Sequence, residues 1–171
     1  MSNYSSIIKL LNSANIKYDE ISHCVSTRCE HSKQLRASAG LIGIGSKNIV
    51  FHCKGNYFLV TTLGDKLIKA RNFRYDFGSK DIRFASQEEI DRLIFSKIGS
   101  IPPFGFANTD LPIFVDNEIF DHDYFIFNPC CPDKSVRVNT VDLKKIYKYL
   151  CNPIKYFTHN DNEFKVFLDQ L

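Results

Sequence analysis

The chain has no run approaching the ~18 to 20 apolar residues of a membrane-spanning helix. Its start, Met1-Ser2-Asn3-Tyr4-Ser5, lacks the basic residues and apolar core of a secretory signal. These absences predict a cytoplasmic protein with no membrane partner. The six cysteines, Cys24, Cys29, Cys53, Cys130, Cys131 and Cys151, include no Cys-x-x-Cys pair and no zinc-site spacing, so free reduced thiols are expected. Cys24 and Cys29 with His23 and His31 could be drawn as a metal cluster, but no second half occurs elsewhere, and neither metal nor cofactor is expected. Charge of one sign is also scarce. A net charge of +3 and a pI near 8.5 permit an anionic partner but fall short of the pI above ~9 of a dedicated nucleic-acid binder. There is no Gly-x-Ser-x-Gly elbow, no Ser-His-Asp ordering, no internal repeat, no low-complexity tract and no interdomain linker.

What is present is enough for one domain over residues 1–171: 44% hydrophobic and 24% charged residues, which can bury a sizeable core. Ile7, Leu10, Leu11 and Ala14 recur at helical spacing and predict a first helix ending near Asn12-Ser13, and "IKYDEISH" alternates like a strand. "KQLRASAGLIG" predicts a second helix with Leu35, Ala39 and Ile42 on its buried face and a glycine-rich exit. "SKNIVFHC" and "NYFLVTT" predict a hairpin turning at Lys54-Gly55-Asn56, with Gly and Asn taking the positive φ. "DIRFA" predicts a strand, and Ser86 with Glu89 a capping box that opens a helix over 87–96. "PIFVD", "DYFIFN" and "SVRVN" predict three more strands. Thr140 and Asp142 open a helix with Val141, Ile146 and Tyr149 inward, and the tail over 152–171 reads as a weak helix. The expected class is α+β: a mixed, mainly antiparallel sheet or partly closed barrel of about six strands with four helices.

Two features do not fit a plain core. In "KIGSIPPFGFANTDLPIFVDNEIF", Gly99, Pro102, Pro103 and Gly105 break a core-like stretch within seven positions. Such a loop can expose backbone N–H groups along a rigid path and grip a small polar group, although a ligand-free crossover would read the same way. Lys47 stands at the mouth of a strand that otherwise wants burial, and its ammonium needs a partner, either a ligand oxygen or solvent reached along its stem.

In order along the chain, "SKNIVF", the Lys-Gly-Asn hairpin, "GDKLI", "IRFASQEEI", "GSIPPFGF", "IFVDNEIF", "FNP" and "VNTVDLKKIY" together resemble the YbaK / prolyl-tRNA synthetase-associated editing domain family, from about Ile7 to Tyr149. The resemblance implies a freestanding aminoacyl-tRNA deacylase. Its substrate would be misacylated tRNA held by the acceptor 3′ end, alanine or a similar small amino acid on tRNA for proline, with prolyl-tRNA synthetase as a possible partner. It also implies that Lys47 holds the tRNA end with Asn48 beside it, and that Gly99, Ser100, Ile101, Pro102 and Pro103 form the Gly-x-x-x-Pro loop that contacts the terminal adenosine and the aminoacyl carbonyl. Thr27, in the loop before the second helix, lines the amino-acid pocket in this reading, and His23 lies near the start of that same loop. The chain departs from the family where a His-Pro-x-x-Asn pattern is common: it reads Asn128-Pro129-Cys130-Cys131-Pro132. The expected chemistry is metal-free attack by water or a substrate hydroxyl, with loop amides stabilising the oxyanion, Lys47 and Gly99 catalytic, and Asn128 orienting the attacker. A thiol nucleophile at Cys130 or Cys131 lacks a paired histidine. The competing expectations are a paralogue that binds tRNA or a synthetase without hydrolysis, and a small-molecule module with no RNA partner.

Overall fold

A computed structural model describes residues 2–26, 29–159 and 164–167. The elements are α1 (Asn3–Ser13), β1 (Tyr18–Ser22), α2 (Cys29–Ser38), β2 (Ile44–Cys53), β3 (Asn56–Leu63), β4 (Ile82–Phe84), α3 (Gln87–Ile94), β5 (Ile113–Asp116), β6 (Tyr124–Phe127), β7 (Lys134–Asn139), α4 (Thr140–Tyr149), β8 (Ile154–His159) and β9 (Phe164–Phe167). The strands form one open sheet in the order β1-β7-β6-β2-β3-β5-β8-β9, with β4 pairing on β2. Most pairings are antiparallel, while β2 with β6, β3 with β5 and β5 with β8 are parallel, so the class is α+β with a mixed sheet.

Local chemistry accounts for the element ends. Ser86 accepts from Glu89 N–H while the Glu89 carboxylate accepts from Ser86 N–H, the reciprocal pair that starts α3. The β2–β3 hairpin turns on Lys54 (φ 48°) and Gly55 (φ 82°), and Asn56 is already the first residue of β3. The positive φ therefore falls one residue earlier than expected. Strand alternation then splits the core between the two sheet faces. Ile7, Val50, Leu59, Ile94, Phe104, Ile113 and Phe127 pack on the face covered by α1, α3 and α4; Phe51, Val60, Phe73, Phe114 and Phe157 form an aromatic cluster on the other.

Several sequence expectations are corrected. The described residues form nine strands rather than about six: the seven segments that read as strands all form, and the tail expected as a helix adds β8 and β9; its residues 160–163 and 168–171 lie outside the described residues. β8 forms by adding to the free edge of β5, a choice made by an available neighbour rather than by local pattern. Helix α3 ends at Ile94, not 96. In α4 the N-cap is Asn139 and the buried residues are Thr140, Leu143, Ile146 and Tyr147, whereas Val141 and Tyr149 are exposed. In α2 the residues facing inward are Ser32 and Arg36, four apart, while Ala39 and Ile42 are exposed. A helix that buries an arginine and a serine is packed against polar chemistry.

Candidate active site

Strands β2 and β6 run side by side for only two residue pairs, Ile44 with Phe125 and Gly45 with Ile126, and then part. Ligands collect where parallel strands of a sheet diverge, because the backbone groups there are not spent on each other. Two residues past the last pair, Lys47 on β2 and Asn128 beyond β6 fall on the face shared by Gly45 and Ile126. Helix α2 covers that face. A methyl group added at Gly45 would lie 2.7 Å from Arg36 Nη1, so glycine is what lets the guanidinium lie on the strand.

Arg36 is buried and organises this wall. Its Nε donates to Ser135 Oγ at 2.9 Å and its Nη2 to Asn128 Oδ1 at 3.1 Å. The Asn128 amide in turn donates to Lys134 O at 2.9 Å and Cys131 O at 3.3 Å, so both of its N–H groups are engaged. His23 reaches the same group, with Nε2 2.9 Å from Ser135 Oγ and Nδ1 2.8 Å from Cys24 O. A carbonyl oxygen only accepts, so Nδ1 donates to it, and in the neutral ring Nε2 accepts a hydrogen bond from the Ser135 hydroxyl. His23 is thus tied to the β7 end of the wall. Thr27 lies outside the described residues.

Between α2 and the first residues of β2 is a cavity of about 380 Å³, lined by Arg36, Gly45, Ser46, Gly64 and Asp65, with Glu30 and Lys33 on the helix and Leu41 and Ile44 as apolar floor. The volume lies at the small end of ligand sites. Beside it, Lys47 Nζ donates to the backbone oxygen of Lys66 at 2.6 Å. The Lys66 ammonium bridges buried Asp116 at 2.9 Å and Glu118 at 2.5 Å; burial works against its charge, but these two carboxylates more than offset that and raise its pKa. The Asp116 and Glu118 carboxylates are therefore bridged by Lys66, while Lys47 donates to the Lys66 backbone.

The Gly-x-x-x-Pro loop approaches from the opposite face. Gly99 is exposed with φ +90°, while Ser100, Ile101, Pro102 and Pro103 are buried and Phe104 and Phe106 enter the core. Gly105 permits this, since a side chain there would strike Ile7 of α1. Asn48, not Lys47, touches the loop: its Nδ2 donates to Ile101 O at 2.8 Å and its Oδ1 accepts from Thr61 Oγ1 at 2.9 Å. The Ser100 N–H closes a turn onto Lys97 O, whereas the Gly99 and Ile101 N–H groups meet no acceptor among the described residues. Lys47 and the loop thus flank β2 from its two faces at the point where β6 departs. Burial, with Asp133 adding to it, pushes the Cys131 thiol pKa up, opposite to what an activated nucleophile needs. Among the described residues no three His, Cys, Asp or Glu side chains are placed to hold a metal ion, and no helix is long and apolar enough to cross a membrane.

The residue missed from sequence is Arg36. Its signal was faint: Ser32 and Arg36 are the i, i+4 pair of α2, but an arginine at helical spacing ordinarily marks a solvated face.

Comparison with known proteins gives this geometry a context. A multifunctional Ser/Thr-tRNA deacylase, ProXp-y, of Escherichia coli K12 is 29% identical over 145 residues, covering 82% of this chain and 85% of that protein. The solved structure of a protein provisionally described as a trans-editing enzyme for prolyl tRNA synthetase superposes with a TM-score of 0.69 at 19% identity, over 90% of this chain and 95% of the other. A hypothetical protein of known structure gives 0.71 at 13% identity, over 87% and 96%. These two structures share the fold. Residues 28–146 match the aminoacyl-tRNA editing domain family, and the chain belongs to that family.

Proposed function

We propose that this editing-family deacylase hydrolyses the ester of tRNA misacylated with a small amino acid, with serine and threonine ahead of alanine on tRNA for proline. The observation that carries the reading is the cavity at the β2–β6 divergence. It is small and its wall holds Arg36, Ser46 and Asp65; Lys47 follows Ser46 on the same strand, and the loop reaches that strand from its other face through Asn48, with the Gly99 and Ile101 N–H groups meeting no acceptor among the described residues. A side-chain hydroxyl finds partners on such a wall, and a site built to bond a hydroxyl discriminates against the analogue that lacks it. The relative's Ser/Thr specificity supports the same order.

In this reading the aminoacyl group enters the cavity and the Gly99 and Ile101 amides face the carbonyl oxygen, where negative charge develops as water or the neighbouring ribose hydroxyl attacks. Lys47 leaves the Lys66 carbonyl to meet a phosphate or ester oxygen, a charge-assisted contact stronger than the one it gives up. Asn128, with its amide donors engaged, holds Arg36 over the cavity in place of orienting water. Asn48 fixes the loop at Ile101, and Ser100, Pro102 and Pro103 fix its path. His23 supports Ser135, which holds Arg36.

The test is the lifetime of serine, threonine, alanine and cysteine esters on tRNA for proline, and of serine and threonine on their own tRNAs. Shortened serine or threonine esters are expected. Unchanged lifetimes throughout overturn the reading, and lengthened ones would make the protein a module that binds tRNA, or a synthetase such as that for proline, without turnover.

A further inference from the structure

Among the described residues, four non-glycine residues have positive φ: Asn15, Lys54, Phe95 and Cys130. Asn15 and Lys54 lie in connecting turns, where such geometry is ordinary. Phe95 and Cys130 are different, because they touch each other at the rim of the site. Phe95 ends α3 at φ 49°, ψ 52°, a conformation that a bulky residue adopts rarely and at a cost. Surrounding groups hold it there. Its N–H donates to Asp91 O at 3.0 Å, and its carbonyl accepts from Cys130 Sγ at 3.5 Å and from Asn3 Nδ2 at 3.4 Å. The Asn3 amide also donates to Ile94 O and lies 3.6 Å from Cys130 Sγ. The backbone is over-determined, yet the ring it carries is 77% exposed and meets no ring or cation among the described residues.

The position of Phe95 gives the strain a use. It lies four residues before Gly99, at the start of the Gly-Pro loop, and its carbonyl is bonded to Cys130, two residues after Asn128. It therefore stands where the two segments bordering the site meet. Ile98, 56% exposed, extends the apolar shelf toward Gly99. A helix end needing only a left-handed residue is served without strain by glycine, and a buried ring would explain phenylalanine by packing. Neither applies here.

We propose that Phe95, with Ile98 beside it, is a stacking platform for the unpaired nucleobases immediately upstream of the terminal adenosine of tRNA. The inference rests on the reading that the site takes a tRNA 3′ end. A protein surface could also cover an exposed ring. Continuity with the loop and the 128–132 segment favours the nucleic acid, because a single strand leaving the Gly-Pro loop would meet this rim first, and base–aromatic stacking tolerates any base.

The experiment pairs protein variants with RNA trimming. The affinity of uncharged tRNA, intact or lacking its last three nucleotides, is measured for wild type, Phe95→Ala, Phe95→Tyr and Phe95→Gly. Wild type and Phe95→Tyr should lose about 10-fold or more on trimming, and Phe95→Ala and Phe95→Gly much less, because the partner of the lost bases is already gone. Phe95→Gly relieves the left-handed strain and should not lower Tm, which separates lost stacking from lost folding. Where hydrolysis is measurable, Phe95→Ala should lower kcat/KM on aminoacyl-tRNA by a similar factor and leave 3′-aminoacyl-adenosine unaffected. Equal trimming losses in wild type and Phe95→Ala overturn the platform and assign the ring to a protein partner. Absence of hydrolysis by wild type would overturn the proposed function, while the trimming comparison would still decide the role of Phe95.

Discussion

A lysine in no ion pair among the described residues, whose ammonium rests on a backbone carbonyl, can change partners at little cost. Lys47 is in that state. Lys47→Ala removes one neutral-acceptor hydrogen bond, worth about 1 kcal/mol, so Tm should fall only slightly. If the side chain meets substrate, the same change removes a charge-assisted contact of ~1.5 to 3 kcal/mol, roughly 10- to 150-fold in kcat/KM on a misacylated tRNA. Lys47→Arg should recover little, since a planar fork does not fit where a point-like ammonium reaches the Lys66 carbonyl. Melting and deacylation measured on one preparation separate the two effects; full activity in the folded alanine variant would remove Lys47 from the site.

At the scale of elements, α2 is a polar clamp and α3 a capped support. Gly45→Ala puts a methyl group against Arg36 Nη1 while Ser135 and Asn128 hold the rest of the guanidinium. The guanidinium must shift, so we expect a normally folded variant with reduced kcat/KM and altered preference between serine and alanine esters. Unchanged preference would show that Arg36 does not read the amino acid. Arg36→Lys should mimic the loss, because one ammonium cannot bond Ser135 and Asn128 as the guanidinium does.

Helix α3 makes a different prediction. The Glu89 carboxylate accepts from Arg83, the Ser86 backbone and Tyr57, and Arg83 foremost holds its pKa well below the ordinary carboxylate range. A group whose pKa is depressed by folding stabilises the native state above its unfolded pKa and loses that contribution as pH falls through the folded one. Tm should therefore decline as pH falls below about 4.5. Glu89→Gln should lower Tm at pH 7 and flatten that acid limb, and parallel acid limbs in the two proteins would contradict the assignment.

For the whole molecule, the aromatic cluster shares a sheet face with Lys47 but centres on Phe51, four residues further along β2. It holds Phe73 against Phe114 and Phe157 edge-on, with ring centroids 5.6 and 5.3 Å apart. Phe73→Ala should cost ~3 to 5 kcal/mol, with kcat/KM of the surviving folded fraction unchanged. Chemical denaturation beside active-site titration checks both halves. A loss of kcat/KM per folded molecule would show that the aromatic face communicates with the β2–β6 divergence.

Local rules in the sequence were sufficient for much of the molecule. The capping box at Ser86 and Glu89, the β2–β3 hairpin, the three short strands after the Gly-Pro loop and the amphipathic α1 all follow from interactions within a few residues, so their patterns are written contiguously. The family resemblance, carried by the order of several such pieces, was legible for the same reason. Tertiary structure decided what depends on distant partners. β8 is a strand because β5 offers an edge, and Arg36 is buried because Ser135 and Asn128, about a hundred positions away, receive its hydrogen bonds. Lys47 and the Gly-Pro loop flank one strand because β6 leaves β2 after two pairs. Phe95 is strained and exposed because Asn3 and Cys130 hold its carbonyl. Short-range periodicity carries no record of such contacts, since each is a hydrogen bond whose two ends are independent choices in the sequence until the chain folds them together.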